Sequence, residues 1–164
     1  MSEFDLARYQ DPLTIQRVLH TAQTIAIVGL SPNELRASYF VGYYLRRHGY
    51  HVIPVNPRET EILGQKCYKS LQEIPGKVGI VDIFRKSQDV MPIAEAAIAI
   101  GARVVWQQLG VRNETAAAKA RAAGLESVLD RCVKIEHARL FGGLGWVGVN
   151  TGLISAKRPR WLAY

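Results

Sequence analysis

Cysteine is scarce in this 164-residue chain: Cys67 and Cys132 stand far apart and form no disulfide framework. A reduced, cytoplasmic setting is the expectation. Long hydrophobic runs are missing too. No stretch approaches the roughly 18 apolar residues of a membrane span, so no membrane partner is expected. The first residues carry Glu3 and Asp5 rather than a basic-then-apolar pattern, which argues against a secretory leader. No G-x-S-x-G, H-E-x-x-H or G-K-[ST] motif occurs, and with them go the hydrolase elbow, the zincin helix and the P-loop. His20, His48 and His51 have no evident partners. Cys132 with His137 falls short of the three or four ligands zinc takes, and Cys132 reads as a small buried apolar group.

What is present is an ordinary globular composition, 48% hydrophobic and 21% charged, in a length that suits one domain. The net charge is 21 − 14 = +7, and Lys157, Arg158 and Arg160 near the end supply three of those charges. Such an excess attracts anions: nucleic acid, an acidic membrane surface or a polyphosphate ligand. A solvated basic surface of no specific use is the plainer alternative.

Apolar runs alternate with helical patterns, the signature of βαβ units and a parallel sheet. Residues 12–21 read as an amphipathic helix and 24–28 as a first strand, β-branched and continuous like one buried on both faces. A helix is expected over 38–47, stopped by Gly49, and a second strand over 51–55, where Pro54 fits a strand end better than a sheet centre. The stretch 57–76 reads as a crossover with a short helix near 70–74. A third strand is expected at 78–83, then a helix over 87–100 with Ser87 as its N-cap, and a fourth strand at 104–106. A helix capped by Asn113 covers 114–123, a short fifth strand 127–129 and a last helix 133–141. Beyond Phe141, Gly142, Gly143, Gly145, Gly148 and Gly152 precede the basic tail and suggest a loosely ordered end.

In such a sheet ligands bind outside the carboxyl ends of the strands, where the strand order reverses. Gly29-Leu30-Ser31-Pro32 follows the first strand directly, as a phosphate-binding turn would. Ser31 and Asn33 add hydrogen-bonding groups and Arg36 adds charge. Only one of the three glycines of G-x-G-x-x-G is present, so the turn by itself is weak. The second strand ends on Val55-Asn56-Pro57-Arg58. An NAD site usually places an acid there for the ribose 2′-hydroxyl. A neutral residue followed by arginine instead suits a ribose bearing an extra phosphate, as in NADP or coenzyme A. Phe84-Arg85 after the third strand pairs an aromatic with a cation. Trp106-Gln107-Gln108-Leu109-Gly110 after the fourth offers two amides, although Trp106 by itself reads as core.

These segments resemble one family. Ile27-Val28-Gly29-Leu30-Ser31-Pro32-Asn33, Val52-Ile53-Pro54-Val55-Asn56-Pro57 and Val81-Asp82-Ile83-Phe84-Arg85 look like the small single-domain CoA-binding proteins. So do Val105-Trp106-Gln107-Gln108-Leu109-Gly110 and the run from Asp130 to His137. The family shares its fold with the N-terminal CoA-binding domain of the succinyl-CoA synthetase α subunit. The resemblance spans roughly residues 12–140 and implies an α/β, Rossmann-like, doubly wound and mainly parallel five-stranded sheet with helices on both faces. It divides the chain into a CoA-binding domain over 1–140 and a Gly-rich, basic extension over 141–164.

By that resemblance the Gly29–Asn33 turn would cradle the pyrophosphate. Asn56-Pro57-Arg58 would lie beside the adenosine and its 3′-phosphate, Phe84-Arg85 would border the adenine, and Trp106 to Gly110 would lie towards the pantetheine arm. The synthetase's catalytic histidine belongs to a second domain and has no counterpart here. The expected function is therefore binding of coenzyme A or an acyl-CoA by a non-catalytic carrier, sensor or partner subunit, with an unidentified protein partner. The alternative is an NADP-binding oxidoreductase or a nucleotide-binding regulatory domain. Lys157-Arg158-Pro159-Arg160-Trp161 interleaves cations with an aromatic, yet reads as a terminal extension rather than a nucleic-acid surface.

Overall fold

The computed structural model describes residues 3–141. The Gly-rich and basic segment, with the tail weighed as a nucleic-acid surface, lies outside the described residues. An Asp5-capped 3-10 turn, Leu6–Tyr9, leads into helix α1, Pro12–Thr21. Strand β1 is Thr24–Val28, α2 is Ala37–Arg47 and β2 is His51–Val55. A small antiparallel hairpin follows, β3 at Glu61–Ile62 and β4 at Gln65–Lys66. Then come β5 at Ile80–Ile83, α3 at Val90–Ala99, β6 at Val104–Gln107, α4 at Glu114–Ala122, β7 at Glu126–Val128 and α5 at Val133–Phe141.

The five main strands are parallel in the order β2-β1-β5-β6-β7. After β2 the chain crosses β1 to reach β5, so the order reverses between β1 and β5. That is the doubly wound arrangement expected, with its crevice above those two strand ends. Side chains alternate across the sheet. Ile25 and Ile27 face one apolar cluster with Ile15, Val18 and Leu19 of α1, Val41 and Leu45 of α2 and Val133 of α5. Ala26 and Val28 face the other, with Val90, Ala94 and Ala97 of α3 and Ala116 and Ala120 of α4. Both faces are covered, which is why the strands read as unbroken apolar runs.

Several boundaries differ from expectation. Strand β5 begins at Ile80, not 78. Gly79 sits so close to β1 that a Cβ there would lie 3.0 Å from the Thr24 carbonyl oxygen, and its own carbonyl already receives Arg103 and Val104. Ser87 does not cap α3: residues 87–89 form a 3-10 turn, and the Ser87 hydroxyl instead accepts from the Arg112 amide at 2.9 Å. Strand β7 starts one residue early, at Glu126. Pro54 stands in an edge strand, where its missing donor costs no ladder bond. The outer side of β2 is partly closed by Tyr68, whose amide donates to the Pro54 carbonyl and whose carbonyl accepts from Asn56.

Candidate functional site

Gly29 lies at the reversal point. Its φ is +89°, and an added Cβ would overlap the carbonyl oxygen of Phe84, at 3.2 Å from the carbonyl carbon and 3.3 Å from Arg85 Nε. Two strand ends thus meet with no room for a side chain, and the Arg85 guanidinium leans over the turn. The following loop is organised from within. The Ser31 amide donates to the Ser38 hydroxyl of α2 at 3.0 Å, Asn33 N–H to Ser31 Oγ at 3.1 Å, and Leu35 N–H to Asn33 Oδ1 at 2.9 Å.

Helix α2 opens next to this loop. Asp11 and Asn113 cap α1 and α4 with side-chain oxygens, but Arg36 makes no side-chain cap on α2, and no acid stands in its first turn. A helix start with a basic residue and no capping oxygen is a place where an external anion can serve as the cap. Arg36, Arg58 and Arg85 are all exposed on this rim, as are Pro32, Asn33 and Pro57; Ser31 and Phe84 are half-buried.

Asn56 ties the rim together. Its Nδ2 donates to the Leu30 carbonyl at 3.0 Å, and its Oδ1 accepts the Arg58 amide at 3.0 Å. The Nδ2 bond joins the β1 and β2 loops, and the Oδ1 bond closes a turn within the β2 loop. No carboxylate stands at the end of β2 for a ribose diol.

The structure corrects the role of some expected residues. Trp106 is completely buried against the α2 and α5 side, its Nε1–H donating to the Arg131 carbonyl at 2.8 Å, so its indole is core and does not face the crevice. Gln108 is 2% exposed and turned inward to Asp82. The side chains of Leu30 and Val55 are likewise interior, leaving only their main chain at the rim. Gly110 is exposed, and its amide is taken by Asp130 Oδ1 at 2.7 Å, which fastens the loop after β6 to the loop after β7.

Two contributors escaped the sequence reading. Ser38 pins the loop after β1, and Asp82 is a wholly buried acid. A single acid inside Val78-Gly79-Ile80-Val81-Asp82-Ile83 was the available signal. Burial pushes the Asp82 carboxyl up to about 8, against the hydrogen bond from Gln108 and the Ile83 amide.

Cys132 and His137 make no contact that would join them as a catalytic or metal pair among the described residues. The Cys132 thiol, pushed up by burial, lies by the amides of Ile135 and Lys134 at the start of α5. His137 Nδ1 pairs with the Tyr44 hydroxyl at 2.9 Å, with the His48 ring 5.1 Å away. Among the described residues no three His, Cys, Asp or Glu side chains are grouped to hold a metal, and no helix is long and apolar enough to cross a membrane.

Comparison with known proteins bears on the family and the fold. The uncharacterized protein YneT of Bacillus subtilis is 39% identical over 124 residues, 76% of this chain and 92% of that protein. The alpha subunit of the ADP-forming acetate–CoA ligase II of Pyrococcus furiosus is 43% identical over 60 residues, 36% of this chain but 13% of that subunit. A hypothetical protein from Pyrococcus horikoshii OT3 superposes with a TM-score of 0.80 at 43% identity, covering 87% of this chain and 100% of that one. The dinucleotide-forming acetyl-coenzyme A synthetase 1 of Ca. Korarchaeum cryptofilum shares the fold, with a TM-score of 0.57 at 22% identity over 76% of this chain and 27% of that one. A family profile described as a CoA binding domain matches residues 23–138, and the chain belongs to that CoA-binding domain family.

Proposed function

We propose that this protein binds coenzyme A, or an acyl-CoA, in the crevice above β1 and β5, and that it works as a carrier, sensor or partner subunit without catalysis of its own. The observation that carries this reading is the α2 start: no side-chain cap, no acid in its first turn, and Arg36 and Arg85 beside a glycine turn at the strand reversal. The pyrophosphate would cap α2 against the Gly29–Asn33 loop. Arg58, held by Asn56, would meet the 3′-phosphate. Phe84 and Arg85 would border the adenine, and the main chain around Gly110 would face the pantetheine arm. The free thiols Cys67 and Cys132, both buried, support a reducing cytoplasmic setting.

Arg58 would serve a ribose 2′-phosphate as well as a 3′-phosphate, so an NADP-binding oxidoreductase is the reading to test against. Calorimetric titration with CoA, dephospho-CoA, NADP and NAD in parallel separates the two. Micromolar CoA binding, weaker for dephospho-CoA and absent for NADP, is the expected result. NADP binding without CoA binding would replace this reading with the oxidoreductase.

A further inference from the structure

Asp82 has no exposed surface. It stands in β5, opposite Ile27 of β1 and Trp106 of β6, deep under the crevice. Its Oδ1 accepts from Gln108 Nε2 at 2.7 Å, a bond that reaches from β5 to the residue just beyond β6. Its Oδ2 has no partner, and neither has Gln108 Oε1. The two orphans are both acceptors, and they sit on the two partners of one hydrogen bond.

An ionised Asp82 would leave a charge in a fully buried site with one side-chain hydrogen bond, the Ile83 amide and, among the described residues, no ion pair. A proton on Oδ2 changes the inventory. It converts one orphan acceptor into a donor and supplies what Gln108 Oε1 lacks. The titratable group coupled to Asp82 is Cys132, whose thiol burial pushes up and an ionised Asp82 pushes further; Tyr44 of α2 and Lys134 of α5 couple in turn to Cys132. Cys132 is neutral over the range where Asp82 would titrate, and it brings no positive charge to hold a carboxylate.

We propose that Asp82 is held protonated and pairs reciprocally with Gln108 as a neutral acid–amide clamp that positions the ends of β5 and β6 for the ligand. Oδ2–H donates to Gln108 Oε1 while Gln108 Nε2–H donates to Oδ1. The clamp fixes Phe84 and Arg85, which crowd Gly29, relative to residues 107–110. Asp82 touches no ligand and acts as a positioning residue. The positioning role rests on the CoA reading above; the protonation does not.

Infrared spectroscopy of the full chain in D₂O at about pH 6, where ordinary carboxyls are ionised, reads the proton directly. A protonated-carboxyl band that vanishes in Asp82→Asn is expected; its absence from the wild type overturns the proposal. The sign of the pH dependence follows from burial. The folded state holds its proton up to about 8, against 3.8 as the ordinary value. Stability from Asp82 is therefore full below the ordinary value and lost as pH rises towards about 8, by up to about tenfold in the unfolding constant per pH unit, then level. The thermal midpoint of the wild type should fall relative to Asp82→Asn across that window; parallel curves overturn the assignment.

Binding tests the positioning. Asn can donate to Gln108 Oε1 and accept from Nε2, so Asp82→Asn should bind CoA within about threefold of wild type, whereas Asp82→Leu should lose about tenfold or more. Equal affinity for wild type, Asn and Leu variants overturns the positioning role. If Asp82→Leu does not fold, a large loss of affinity in Asp82→Asn overturns it in its place. Failure of the wild type to bind CoA would remove the CoA reading, while the band and the pH difference would still decide the proton.

Discussion

A side chain at position 29 has nowhere to go but into the Phe84 carbonyl, and the backbone there is left-handed. Sequence reading of the phosphate turn predicts that Gly29→Val blocks a ligand. The packing adds an earlier consequence, loss of the fold's own strand contact, expected at about 1–3 kcal/mol and measured by urea denaturation without ligand. Arg58→Ala should behave in the opposite way. Its side chain is exposed, so stability should hold, but CoA affinity should drop about tenfold or more, the worth of a charge-assisted bond of about 1.5–3 kcal/mol, with dephospho-CoA much less affected. Equal losses in parallel titrations would misplace Arg58. The places of Gly29, Asn56 and Arg58 at strand ends were legible because turn chemistry is local. Trp106 by itself reads as core, but the inward turn of Gln108 was not legible. Every residue of β6 is buried because both faces are covered, and such a run carries no alternation to tell inside from crevice.

Among the elements, α4 depends on Asn113. Its Oδ1 accepts the Ala116 amide at 2.9 Å, its Nδ2 donates to the Ser87 carbonyl at 2.9 Å, and buried Gln107 grips its main chain on both sides. Asn113→Ala should cost about 1–2 kcal/mol in urea denaturation. Helix α5 is sensitive in another way, through His137 wedged against Tyr44, His48 and Tyr50. Burial, and then the neighbouring His48, holds the His137 ring below its ordinary 6.5. The unfolded chain therefore binds the proton first, and the contribution present above 6.5 is lost as pH falls below it. Hydrogen exchange should show α5 losing protection on acidification, and His137→Phe should flatten that response. The β3–β4 hairpin could not be read in advance. Leu63 and Gly64 both have positive φ, 55° and 69°, as a two-residue turn of this kind requires, yet leucine is a poor advertisement for it. Asn113 before an alanine-rich run, by contrast, announced α4 to within a residue.

For the molecule as a whole, the binding reading makes a thermodynamic demand. A ligand that recognises only the folded chain stabilises it by about 2.7 kcal/mol at 100 times its Kd, which for a chain of this size is about 5–10 °C in Tm. CoA should produce that rise and NAD should not, in thermal denaturation at matched concentrations. The strand order has one more consequence, which concerns synthesis. Strand β1 is flanked by β2 and β5, but β2 leaves the ribosome soon after it while β5 waits until residue 83. During that interval Ile25, Ala26, Ile27 and Val28 have their β2 partners but not their β5 partners available. An apolar strand with an unpaired edge invites pairing with a neighbour's chain. Chains stalled with β2 outside the ribosome and β5 still inside it should accordingly be the ones that aggregate or recruit chaperones, and chains that have released β5 should not.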